Sequence, residues 1–163
     1  MARRVFTSFH YKPDNWRAST IRNIGKIEGN TVVSANKWEE VTSGGVTAIK
    51  KWINDNIKGK SCVIVFVGEK TAGRKWINYE IRRAWNENKG LLGIYVHNIK
   101  DSNGDKANKG RNPFEDFTIN GKKLSSIVKC INPPYTASTS VYNHIKENID
   151  DWIEEAIEIR NDN

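Results

Sequence analysis

Cysteine is scarce in this chain: Cys62 and Cys130 are the only two in 163 residues. They form no CxxC pair, and each lies in an apolar stretch, "SCVIVFV" and "IVKCI". His10, His97 and His144 are not at metal-ligand spacing, so no metal site is expected, and the thiols read as small buried hydrophobes in a reducing compartment. Long apolar runs are missing too. The longest, "CVIVFVG", is far too short to span a membrane. The start, "MARRVFTSFHYK", is basic but has no apolar signal region, so a cytoplasmic protein without a membrane partner is expected. There is no GxGxxG after the first predicted strand, no GxxxxGK[ST] and no GxSxG, which leaves Rossmann and P-loop phosphate cradles and the hydrolase elbow unsupported. A phosphoacceptor receiver needs Asp at the ends of the first and third strands, where this chain has Ser8 and Gly68.

What is present suits one soluble globular domain over residues 1–163, with 28% charged and 37% hydrophobic residues. The formal net charge of +7 favours an anionic partner such as nucleic acid, a membrane surface or a phosphorylated small ligand. The basic residues are scattered, with no run of five or more, so a nucleic-acid partner is disfavoured.

Hydrophobic patterning predicts a strand over 3–9, a helix over 15–24 capped by Asp14, and a strand over 30–35, "NTVVSA". A second helix follows, with Val46, Ile49, Ile53 and Ile57 at helical spacing and Gly59 as its stop. The run at 61–68 reads as a central parallel strand covered on both faces. A third helix starts near Gly73–Lys75 and ends at Gly90, and 91–98 is another buried strand. Alternation of this kind argues for an α/β fold, a parallel sheet with right-handed crossovers and helices on both faces. Residues 99–126 break the rhythm with a long polar stretch whose inner piece, "RNPFEDF", is expected to dock on the body. A fifth strand is predicted at 126–131. A final amphipathic helix follows, with Val141, Ile145, Ile149, Trp152, Ala156 and Ile159 on one stripe.

Ligands of open parallel sheets bind beyond the carboxyl ends of the strands. Four segments converge there: "TSFHY", "ANKWEE", "GEKTAGRKW" and "HNIKDSNG". In the third helix, "KWINYEIRRAWNENKG", the core stripe is Ile77, Ile81, Ala84 and Trp85, and Trp76, Glu80, Arg83 and Glu87 are assigned to another face. Glu80 falls in the first two turns, near basic residues, and is expected to stay ionised. Two readings of it stand open: a surface carboxylate beside Arg83, or a carboxylate facing the sheet's mouth next to Trp76 and Tyr79. Phe9 and Tyr11 serve equally as cover for strand ends, and core packing accounts for most of the six tryptophans.

Five pieces of the chain carry a resemblance: "RRVFTSFHYKPD", "SANKWEE", "IKKWINDNIKGKSCVIVFVGEKTAGRKWINYEI", "GLLGIYVHNIKDSNGDKANKGRNPF" and, less specifically, the helix after "STSVYNHI". Together they are similar to the TIR-like family to which the TIR protein of the bacterial Thoeris anti-phage system belongs. The resemblance is good over roughly residues 1–115 and looser beyond. It implies a flavodoxin-like TIR fold with about five parallel strands. It also implies cleavage of the nicotinamide–ribose bond of NAD, with cyclisation of the ADP-ribose part into a signal that activates a separate effector. NAD is then substrate, and no further cofactor is implied. The family's catalytic glutamate falls on Glu80. The turn that lines the nucleotide pocket falls on Ser8, Phe9 and His10, and Asn36, Trp38, Trp76 and Tyr79 complete the expected substrate-binding set. A phage-derived activator and a second copy of the chain are compatible partners. Two other readings stand beside this one: a non-catalytic TIR-like adaptor, and a nucleoside 2-deoxyribosyltransferase, which also uses a glutamate on a similar fold.

Overall fold

The structure, a computed structural model, describes residues 3–29 and 40–163, with side chains at 3–27 and 40–163. It opens with strand β1 (Arg4–Ser8), helix α1 (Tyr11–Arg22) and the short strand β2 (Glu28–Gly29). Then come α2 (Gly45–Ile57), β3 (Cys62–Val67), α3 (Lys75–Asn86) and β4 (Gly90–Tyr95). A 3₁₀ turn at Pro113–Asp116 leads into a small hairpin, β5 (Thr118–Ile119) and β6 (Lys122–Lys123). A second 3₁₀ turn (Leu124–Ser126), β7 (Cys130–Ile131) and α4 (Ser138–Asn161) complete the fold.

Five strands form one sheet in the order β2-β1-β3-β4-β7, every pair parallel. This is the expected flavodoxin-like arrangement. All six residues of β3 are buried, as a strand covered on both faces must be. Side chains alternate across a strand, and the two cores follow that period. Val63, Val65 and Val67 pack with Ile49, Ile53 and Ile57 of α2 and Ile77, Ile81 and Ala84 of α3. Cys62, Ile64 and Phe66 pack with Ala18 and Ile21 of α1 and Val141, Ile145, Ile149 and Ile153 of α4.

Several boundaries differ from expectation, each for a local reason. Helix α1 begins four residues early, because Pro13 sits in its first turn, where a missing N–H costs nothing. Asp14 is therefore not the cap but a buried residue inside the helix, and His10 holds the cap position without a side-chain hydrogen bond. Helix α3 ends at Asn86 rather than Gly90; Asn88 takes the left-handed turn (φ 60°) and Gly90 opens β4. Val46 is 48% exposed, so the buried stripe of α2 is Ile49, Ile53 and Ile57. On α4, Ile153 takes the buried place, and Trp152 and Ile159 flank the stripe half-buried. The strand predicted at 30–35 lies outside the described residues. The fifth sheet strand shrinks to Cys130–Ile131.

Within residues 99–126 the inner piece "RNPFEDF" docks as expected, with Phe114 fully buried and Phe117 nearly so. Both thiols are free, and burial raises each pKa, that of Cys130 to about 12. Among the described residues no helix is long and apolar enough to cross a membrane.

Candidate functional site

Strand β1 delivers Ser8 to its carboxyl end, and α3 delivers Glu80 in its second turn. Ser8 is 1% exposed and Glu80 7%. The Ser8 hydroxyl donates to Glu80 Oε1 at 3.0 Å. That is the one hydrogen bond the Glu80 carboxyl makes to the described residues. Two segments 72 positions apart in sequence are joined by a buried carboxyl group at the ligand edge of the sheet.

This corrects two expectations. Glu80 lies on the inward side of α3 with Ile77, Ile81 and Ala84, not on the face of Arg83 and Glu87. The i+3 step from Ile77 and the i+4 step to Ala84 already place it there. Glu80 also does not keep an ordinary carboxylate pKa. Burial pushes it up to about 8, and the Ser8 hydrogen bond offsets only part of that. The free protein therefore holds a mostly neutral Glu80 at pH 7. The basic neighbours that were expected to keep it ionised are engaged elsewhere. Arg83 pairs with Glu87 at 2.6 Å, Lys75 lies over the Trp76 ring and Arg82 over the Phe117 ring.

The other expected residues separate into groups. Phe9 is half-buried against Phe66 and stacks on Tyr11 with centroids 6.2 Å apart. It belongs to the α1/α4 side of the sheet, opposite Glu80. His10 sits next along the chain, its Nδ1 buried with no hydrogen-bond partner. Burial, then the Arg74 and Lys70 charges, lower its pKa, so the imidazole is neutral beside two cations. Trp76 and Tyr79 meet edge to face at 5.7 Å on the α2 side. The Tyr79 hydroxyl donates to Asn54 Oδ1 of α2 at 2.8 Å, which fixes α3 against α2. Asn36 and Trp38 lie outside the described residues. Among those described, no three His, Cys, Asp or Glu side chains are grouped to hold a metal ion.

Sequence reading missed a strap across this edge. Arg17 of α1 donates to Asp14 Oδ1 (2.9 Å), Pro13 O, Ile99 O (2.6 Å) and Asp105 O. It thereby ties the segment after β4 to the first helix. That segment then runs along the strand ends, with Ala107 N donating to His97 O and Asn108 N to Glu69 Oε1. Gly110 passes so close to the β3 exit that a Cβ on it would lie 2.2 Å from Gly68 O. Only glycine fits such an approach. The i,i+3 spacing of Asp14 and Arg17 is the one sequence signal for this device.

A family model described as "Thoeris protein ThsB, TIR-like domain" matches residues 6–101, which run from β1 to just beyond β4 and include both Ser8 and Glu80. The chain belongs to this family. It is also 32% identical over 133 residues to a protein of Bacillus cereus (strain MSX-D12) named "Putative cyclic ADP-D-ribose synthase ThsB1". The similarity covers 76% of this chain and 69% of that relative.

Proposed function

We propose that this TIR-like domain cleaves the nicotinamide–ribose bond of NAD and closes the ADP-ribose part into a cyclic nucleotide. That product would act as a diffusible signal on a separate effector in anti-phage defence. The observation that carries the reading is the buried Glu80 carboxyl, held by Ser8 at the carboxyl edge of the sheet, in a chain similar to a protein named "Putative cyclic ADP-D-ribose synthase ThsB1".

The chemistry asks for little else. Nicotinamide leaves as a neutral base, so no acid is needed to drive its departure. The ribosyl carbon becomes oxocarbenium-like, and a carboxylate beside it stabilises that charge or orients the ribose hydroxyls. A Glu80 that is mostly neutral in the free protein suits a cationic substrate. The positive nicotinamide ring entering a buried site draws the carboxyl toward its ionised form, so charge appears when the substrate arrives. Water attack would give hydrolysis; attack by a group of the same nucleotide gives the ring, and a water-poor pocket favours the second. In this reading Arg74 and Lys70, whose charges act on His10, would meet the pyrophosphate.

The test is incubation of the protein with NAD, with and without lysate from phage-infected cells. Mass spectrometry then follows nicotinamide and a cyclic ADP-ribose isomer. Both are expected from the wild type and neither from Glu80→Gln. Full activity in Glu80→Gln would overturn the site. Absence of both products with every lysate would favour the adaptor.

A further inference from the structure

The sheet has a second edge, at the amino ends of its strands. It lies about 20 Å from the carboxyl edge by the six-residue length of β3. Three strands begin there side by side. Ser61 N donates to Arg4 O at 2.8 Å, and Gly90 N donates to Ser61 O at 3.0 Å. Arg4, Ser61 and Lys89 therefore form one row across β1, β3 and β4, with Lys60 just before it. Helix α1 ends at the same edge with Arg22.

Lys60 is the centre of this group. It is 8% exposed, and among the described residues its ammonium has no hydrogen bond or ion pair. The Nζ is not sealed off, since it keeps surface to solvent. Burial lowers its pKa, and the charges of Arg4, Arg22 and Lys89 lower it further. Among the described residues no carboxylate acts on it in return. The acids on this side belong to other cations: Glu154 to Arg3 at 2.7 Å and Asp150 to Lys26 at 3.8 Å.

Such an arrangement costs stability. A buried ammonium without a partner is unfavourable, and like charges around it add to the cost. The carbonyl ends of α1, α2 and α3 lie at this edge and supply about half a negative charge each, short of four full positive ones. Unbalanced charge of this kind marks a place where a ligand brings the counter-charge. The spacing says which ligand. Arg4 and Lys89 stand two strands apart, about 10 Å, with Lys60 between them. A single small anion reaches one of them, and a compact ion with several charges reaches all. Phosphate oxygens suit guanidinium forks and ammonium points alike.

We propose that the amino edge of the sheet is a binding site for a compact polyphosphate group, with Lys60 at its centre and Arg4, Arg22 and Lys89 around it. The site is independent of Glu80 and holds whether or not the chain turns over NAD.

The experiment is a ¹H–¹⁵N NMR titration of the full chain at low salt with inorganic tripolyphosphate, and with orthophosphate as the probe carrying one phosphate. The amides of Arg4, Lys60, Ser61 and Lys89 are expected to shift saturably with tripolyphosphate below about 1 mM, and equally in Glu80→Gln. Orthophosphate should need at least about tenfold more. Lys60→Met keeps an apolar stem and removes the charge. It should weaken tripolyphosphate at least about tenfold yet melt at or above the wild-type temperature, because an unpaired buried charge is gone. Arg4→Gln, at an exposed position, should weaken it about threefold in a folded chain. Vesicles of phosphatidylcholine carrying a phosphatidylinositol bisphosphate separate two sources of the same chemistry. Capture of the wild type but not of Lys60→Met names a lipid headgroup; tripolyphosphate binding without capture names a free ligand. Silence of the four amides at about 5 mM tripolyphosphate would overturn the site. Wild-type affinity in a folded Lys60→Met would do the same. So would shifts confined to the amides of Lys70 and Arg74, which place the anion at the edge of Glu80.

Discussion

Asp14 and Glu80 are both buried at the carboxyl edge of the sheet, and burial raises the pKa of both. Their surroundings otherwise differ. Asp14 has a guanidinium, that of Arg17, and the same guanidinium spends three more donors on the carbonyls of Pro13, Ile99 and Asp105. Four of its five N–H donors are used this way, and Nη2 also lies 4.0 Å from Asp101 Oδ2. Among the described residues Glu80 has a hydroxyl partner and no cation. One carboxylate is paired on Oδ1 with a cation that holds the chain together, although its Oδ2 stays buried without a hydrogen bond; the other has only a hydroxyl. A buried carboxylate paired to a guanidinium marks architecture; a buried acid with no cation beside it marks a place where an incoming cationic group can supply one.

That contrast can be broken most sharply at Glu80. Replacement by Gln should lower nicotinamide release at least about 10³-fold, with the circular dichroism spectrum and melting curve of a folded protein. Arg17→Ala should do the reverse. It strands Asp14 and frees the strap, and is expected to cost about 3 to 5 kcal/mol in urea unfolding. If Arg17→Ala unfolds at the wild-type midpoint yet loses turnover, the two roles have been assigned the wrong way round.

Next in size is a pH effect on stability. A carboxyl whose folded pKa stands above its unfolded value keeps its proton in the native state after the unfolded chain has released it. Stability from this group is therefore present below about pH 4.5 and falls as pH rises toward about 8. Glu80→Gln removes that loss. The variant should melt about 5 °C or more above wild type at pH 8.5, with the gap closing near pH 4, as scanning calorimetry can measure. A constant gap across that range would show that Glu80 is ionised throughout.

Smaller effects sharpen the picture. Gly110→Ala forces a methyl against Gly68 O and should cost about 1 to 3 kcal/mol, with faster amide exchange at Ala107 and Asn108. Unchanged exchange there would mean that the strap is not held at this crossing. The smallest change is Ser8→Ala, which removes one hydrogen bond worth about 1 kcal/mol. That bond favours the ionised form of Glu80, so its loss should move the rising limb of kcat/KM against pH to higher pH. A limb left in place would mean that Ser8 does not touch the ionising group.

Much of this was written in the sequence, because it depends on neighbours along the chain. The alternation of strand and helix, the doubly buried "CVIVFV", and the stripe of Ile77, Ile81 and Ala84 are periodic features, and the structure keeps them. Glu80 at the ligand edge was legible for the same reason. Its protonation was not, since that depends on where Arg83, Lys75 and Arg82 turn, and each finds its partner through tertiary packing. The strap was hidden for a like cause. Its order comes from Arg17, 82 positions before Ile99, and no local pattern in a Gly- and Asn-rich stretch announces such a bond. The start of α1 was misjudged on a local point, the tolerance of a helix's first turn for Pro13.

Arg160 closes the list of long reaches. Its guanidinium donates to Trp85 O and Asn88 Oδ1 and lies 4.2 Å over the Trp85 ring. It is thus a clamp on the far end of the helix whose other end carries Glu80. Shortening α4 by its last turn leaves every residue around Glu80 in place, yet it unfastens the rod on which Glu80 is mounted. For anyone engineering this protein, the final helical turn belongs to the mounting of Glu80, and a tag or fusion is safer beyond it than within it.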